Sequence, residues 1–119
     1  MGLDQYAYAR PPRKRNGDDD EQLCDWRKHN RLQGWMENLW TIKTGRPADE
    51  LNCNELELTI EDLDQLKKCI MHKTLPETHG FFFGSDSYER ETDEYDLNFV
   101  QTAKAAIENG EEVIYSCWW

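Results

Sequence analysis

Two segments with strand periodicity stand at opposite ends of this chain, and that placement limits what the chain can fold into. Within residues 3–9, Leu3, Gln5, Ala7 and Ala9 alternate with Asp4, Tyr6 and Tyr8, a period of two. Pro11 and Pro12 end this segment, because proline cannot donate to a ladder. At the other end, Val113-Ile114-Tyr115-Ser116-Cys117-Trp118-Trp119 is β-branched and aromatic, with no breaker. A lone strand leaves its backbone donors and acceptors unpaired, so neither segment is stable by itself. Pairing head with tail satisfies both. The apolar run Gly80-Phe81-Phe82-Phe83-Gly84-Ser85, bracketed by glycines, reads as a further strand or a tucked loop.

Helical spacing fills the interval between the two strands. Leu32, Trp35, Met36 and Leu39 follow the i, i+3, i+4, i+7 rule, and Leu23 and Trp26 extend that stripe backward, which predicts a helix over about residues 20–43. Gly45 and Pro47 terminate it. A brief extended segment is expected at residues 54–58. Thr59 then caps a second helix whose buried stripe is Ile60, Leu63, Leu66, Ile70 and Met71, closed by Leu75-Pro76. A third helix is expected at about residues 93–109, with Phe99, Val100, Ala103, Ala106 and Ile107 inward and Gly110 as its stop. The expectation is an α+β fold, with three helices packed on a small, mostly antiparallel sheet formed by the N- and C-terminal strands. A length of 119 residues suits one domain with one modest core, carrying a charged loop at residues 10–20.

Charge narrows the function classes. The formal net charge is -10, from 24 acidic and 14 basic side chains. Arg10, Arg13, Lys14 and Arg15 cluster near the start, so the rest of the chain is more acidic still. Such a surface repels a duplex or an anionic membrane, and direct nucleic-acid binding and membrane association are not expected. Residues 49–64 hold seven carboxylates and no Lys or Arg, and residues 86–96 hold six against Arg90 alone. A rigid surface of this kind can imitate the phosphates of DNA and occupy a nucleic-acid-binding protein. The plainer reading is solubility, since acids also favour helix starts. The partner-binding candidates are Asp86, Glu89, Glu91, Asp93, Glu94 and Asp96.

Cys24, Cys53, Cys69 and Cys117 are widely spaced with no C-x-x-C pair, which fits reduced thiols in a cytosol. No stretch reads as a signal peptide or a membrane span. His29, His72 and His79 lack metal-ligand spacing, and Asp18-Asp19-Asp20-Glu21 lacks the glycine and distal glutamate of a calcium loop, so no metal or other cofactor is expected. No G-x-S-x-G elbow or close Cys–His arrangement marks a nucleophile, although such groups also assemble from distant positions.

Several motifs in order resemble one family. Met1-Gly2-Leu3-Asp4-x-Tyr6-x-Tyr8, Trp26-Arg27-Lys28-x-Asn30, Trp35, Gly80-Phe81-Phe82-Phe83-Gly84-Ser85 with Tyr88, and Tyr115-Ser116-x-Trp118 resemble small phage-encoded proteins with related copies in bacterial genomes. The resemblance covers most of the chain. It implies a phage or host-cytoplasm setting and assigns no chemistry. This chain departs from the pattern at Gln33, where the family is expected to carry a histidine, and at Glu77-Thr78-His79, where an uncharged Thr-Gln-Ser is expected.

Two readings of function follow. The first is a small acidic phage accessory protein, non-enzymatic, that binds and modulates a host protein through an acidic or aromatic face, as a monomer or a dimer. The second is a pocket that captures or processes an anionic, nucleotide-like small molecule. Its ligand-binding candidates are Asp4, Tyr6, Trp26, Arg27, Asn30, Phe82, Ser85 and Tyr88. An Arg fork grips planar anions, and Ser85 adds a donor beside backbone amides. Against that pocket stands a structural role for the same residues, in which Arg27 or Lys28 pairs with Asp4 and the Phe run is core.

Overall fold

The computed structural model describes residues 3–11, 21–27, 29–75 and 90–118, side chains at 90–93 excepted. Four strands, β1 (Asp4–Arg10), β2 (Glu21–Arg27), β3 (Glu55–Leu58) and β4 (Glu112–Trp118), form one antiparallel sheet in the order β2-β1-β4-β3. Three helices, α1 (Asn30–Thr44), α2 (Ile60–Met71) and α3 (Arg90–Glu108), complete an α+β fold. The two ends of the chain make the centre of the sheet. Asp4 lies opposite Trp118, Ala7 opposite Tyr115 and Arg10 opposite Glu112. β3 adds to the free edge of β4, with Leu56 opposite Tyr115 and Leu58 opposite Val113.

Two expectations need correction. Met71, expected in the buried stripe of the second helix, is 61% exposed. The helix predicted from about residue 20 does not start there, because Glu21–Arg27 is a strand. It pairs with β1, placing Cys24 beside Ala7 and Trp26 beside Gln5, with a register irregularity between Ala7 and Tyr8. Cys24 and Trp26, two residues apart, are the inward positions, whereas Leu23 is only partly buried. β1 is central and needs a partner on each side, and this tertiary demand overrides the helical spacing of Leu23 and Trp26.

Local chemistry sets the helix ends. The His29 ring caps α1 by accepting the Leu32 amide at 3.4 Å, and Gly45 stops it at φ 70°, donating its N–H to Thr41 O at 2.9 Å. That φ lies in the left-handed region, where a Cβ is penalised. A 3-10 turn at Ala48–Leu51 leads into β3. Thr59 and Asp62 form a reciprocal capping box at the start of α2.

The core lies between one face of the sheet and the helices. Leu3 just before β1, Ala7 and Ala9 of β1, Leu56 and Leu58 of β3, and Val113, Tyr115 and Cys117 of β4 meet Leu32, Met36, Leu63, Leu66, Ile70, Phe99, Val100 and Ala103. Trp26 stands edge-on to Phe99 with centroids 4.9 Å apart. Burying such rings removes on the order of 150–250 Å² each from water. The period of two in β1 sends Asp4, Tyr6, Tyr8 and Arg10 to the other face. Among the described residues no helix covers that side. The segment 80–85, most of the loop 10–20, Lys28 and Trp119 lie outside the described residues.

Candidate functional site

The helix-free face of the sheet gathers the most chemistry. Tyr6 and Tyr8 stand side by side on β1, rings nearly parallel at 25° with centroids 6.2 Å apart. Both are half-buried. Trp118, opposite Asp4 on β4, is a diagonal neighbour of Tyr6 and is 53% exposed. Ile114 sits opposite Tyr8 on one side and Glu57 on the other, and is almost fully covered. Every second residue of each strand faces this way, so alternation alone assembles the patch from two central strands.

Carboxylates surround the aromatic centre. Asp25 lies across from Tyr6, Glu57 across from Ile114, Glu55 across from Ser116, and Glu112 across from Arg10. Two arginines share the face. Arg10 places Nη2 2.8 Å from Glu55 Oε2. Arg27, with a side chain 76% exposed, holds Nε 3.9 Å from Asp4 Oδ1. Asp25, Glu57 and Glu112 have no basic partner among the described residues. Among the described residues, this face therefore combines partly exposed aromatic rings with an excess of carboxylates.

The opposite, inward face of the same strands carries a polar cluster of a different kind. Asp96 of α3 is 1% exposed. It accepts from Trp26 Nε1 at 2.8 Å and contacts His29 Nε2 at 2.6 Å. His29 Nδ1 accepts the Leu32 amide, so the ring proton sits on Nε2, directed at Asp96. The Gln5 side chain donates to His29 O at 3.2 Å and to Tyr115 Oη at 2.9 Å, and accepts the His29 amide at 2.9 Å. Tyr115 Oη donates to Gln33 Oε1, and Gln33 Nε2 donates to Cys117 Sγ at 3.4 Å. Both His29 nitrogens are engaged within the protein, leaving none to abstract a substrate proton. Burial pushes the Cys24 thiol up to about 11 and the Cys117 thiol up to about 12, so neither is a thiolate at neutral pH. Tyr115 is also held well above its ordinary value by burial. This cluster ties β1, β2, β4, α1 and α3 together.

The structure sorts the sequence candidates between these two places. Asp4, Tyr6 and Arg27 lie on the helix-free face. Trp26 and Asn30 are buried, so Arg27 and Asn30 do not line one concavity. Asp96 is interior and contributes nothing to an exposed acidic stripe, whereas Glu94 is exposed. Glu91 and Asp93 fall in the first turn of α3, where side chains are outside the description. Phe82, Ser85, Tyr88, Asp86 and Glu89 lie outside the described residues. Tyr8 and Trp118 share this face with Tyr6 by the same alternation, although neither stands among the ligand-binding or partner-binding candidates. Among the described residues no group of His, Cys, Asp and Glu is placed to hold a metal ion. No described helix is long and apolar enough to cross a membrane. No protein-family model, curated protein or solved structure matches the chain.

Proposed function

We propose that this is a small acidic phage accessory protein that binds and modulates a host protein in the host cytoplasm, without catalysis, through the helix-free face of its sheet. One observation carries the reading. Three aromatic side chains, Tyr6, Tyr8 and Trp118, sit on the two central strands with no described helix over them, beside Asp25, Glu57 and Glu112, which have no basic partner among the described residues. Half-exposed Tyr and Trp are the residue types that dominate binding energy at protein interfaces. The rim selects a cationic partner surface, and nucleic-acid-binding host proteins carry such surfaces.

Nucleic acid itself is a poorer fit. Aromatic platforms on open sheets do stack unpaired bases, but they do so beside basic side chains that hold the phosphates. Here Arg10 is engaged by Glu55, Arg27 lies 3.9 Å from Asp4, and the other charged residues described on this face are acidic. The pocket reading has less support, because Arg27 and Asn30 point to different environments.

The test is comparative capture from host extract. Wild-type protein should retain strongly basic host proteins, and a Tyr6→Ser/Tyr8→Ser/Trp118→Ser variant with an unchanged circular dichroism spectrum should lose them. Equal recovery by both baits would reject the sheet face as the docking surface.

A further inference from the structure

We infer that the Tyr95 hydroxyl is an autoinhibitory guard on the free edge of β2, holding the backbone groups through which a second copy of this chain would add its own β2 in antiparallel pairing. That edge is a separate surface from the sheet face proposed above as the docking site.

The sheet order β2-β1-β4-β3 leaves β2 and β3 each with one side that no strand of the sheet covers. Such edges present N–H and C=O groups to any strand that arrives. Here each edge carries a side chain from a helix on those groups. Asp25 lies opposite Tyr6 of β1, yet both its backbone groups go to Tyr95 of α3. Tyr95 Oη donates to Asp25 O at 2.8 Å and accepts the Asp25 N–H at 3.4 Å. In an antiparallel ladder bonded and non-bonded pairs alternate, and a residue of a non-bonded pair turns both groups away from that neighbour. Asp25 therefore offers its groups outward, and one hydroxyl answers both. On the other edge, Lys43 Nζ of α1 donates to Glu57 O of β3 at 2.7 Å.

The guard matters more on β2. β3 has four residues, and a short edge is a poor template. β2 has seven. The Tyr95 ring stands edge-on to Trp26, with centroids 6.2 Å apart and planes at 87°, which fixes the hydroxyl beside Asp25. Tyr95 is 43% exposed, so it lies over the edge from outside and is not part of the core. Paired strands run about 4.7–4.9 Å apart, so an oxygen 2.8 Å from the Asp25 carbonyl stands where an incoming backbone would run.

Charge identifies the excluded strand as the β2 of a second copy. Glu21 and Arg27 are exposed at opposite ends of β2. Antiparallel pairing about Cys24 sets Glu21 of each copy across from Arg27 of the other, an ion pair at each end related by a two-fold axis. The Arg27 side chain is 76% exposed and 3.9 Å from Asp4, a surface contact that such a pair can replace.

The experiment is sedimentation equilibrium of wild type and Tyr95→Phe, with amide NMR spectra to check the fold. Tyr95→Phe keeps the ring against Trp26 and removes only the hydroxyl. Its dimer dissociation constant should fall about tenfold or more below that of wild type, because pairing no longer breaks the bonds to Asp25. Adding Arg27→Glu should return the variant to a monomer, and adding Glu21→Arg as well should restore the dimer. In wild type the Asp25 amide should be protected from hydrogen exchange although it lies on a free edge. Exchange of that amide at the unprotected rate would overturn the guard, and so would equal association of wild type and Tyr95→Phe. A Tyr95→Phe dimer indifferent to the charge substitutions would overturn self-pairing through β2.

Discussion

At the residue scale, the interior of this protein is held by neutral polar groups whose protons are hard to remove. Burial is the main reason that Cys117 rises from 9.0 to about 12 and Cys24 from 9.0 to about 11. In the unfolded chain these thiols ionise near their ordinary values, while in the folded chain they stay protonated. The unfolded state therefore loses protons first as pH rises. Stability is full below about pH 9 and falls above it by up to about 1.4 kcal/mol per pH unit for each thiol, up to about pH 11 for Cys24 and about pH 12 for Cys117. Thermal melts should show a falling midpoint above pH 9, and Cys117→Ala should shallow that fall even though it costs stability at neutral pH. A midpoint independent of pH between 9 and 11 would contradict the burial of both thiols.

At the element scale, one carboxylate fastens three elements. Asp96 of α3 binds Trp26 of β2 and the cap residue of α1. Removing it leaves two buried donors unanswered, so Asp96→Ala is expected to cost about 3 kcal/mol or more. Asp96→Asn keeps an acceptor for one donor and should cost less. Urea unfolding measures both, and a loss below about 1 kcal/mol for the alanine variant would exclude the buried tie. The same carboxylate shows where sequence reading stops. Residues 86–96 look like a uniform acidic surface, and the one local mark on Asp96 is its spacing of three, four and seven residues from Phe99, Val100 and Ala103. Its role depends on Trp26 and His29, which are distant in sequence. Elements with their own punctuation were legible. The alternation of β1 and β4, the Thr59 cap of α2 and the Gly45 and Gly110 stops all appear where their chemistry demands. β2 was not legible, because its Leu23 and Trp26 keep helical spacing and its pairing is dictated by the needs of β1. The start of α1 was hidden for a related reason, since a histidine ring caps it in place of Ser, Thr, Asp or Asn.

At the scale of the whole molecule, the topology explains why a small chain has a surface to offer. Head and tail strands form the middle of the sheet, and the helices take one side. The other side keeps Tyr6, Tyr8 and Trp118 in reach of solvent. A net charge of -10 would then speed the approach of a basic partner over the whole surface, and the aromatic centre would hold it. In sequence Tyr8 and Trp118 read equally well as core or as surface; only the placement of the described helices on one side separates the two cases.

The most direct measurement is NMR of ring-labelled protein, with tyrosine and tryptophan resonances followed while the basic host partner recovered by capture is added. The rings of Tyr6 and Tyr8 and the indole of Trp118 should shift or broaden, and the interior signals of Tyr115 and Trp26 should stay in place. Unmoved Tyr6, Tyr8 and Trp118 signals, with changes confined to Tyr95 and its surroundings on α3, would contradict the sheet face as the working surface.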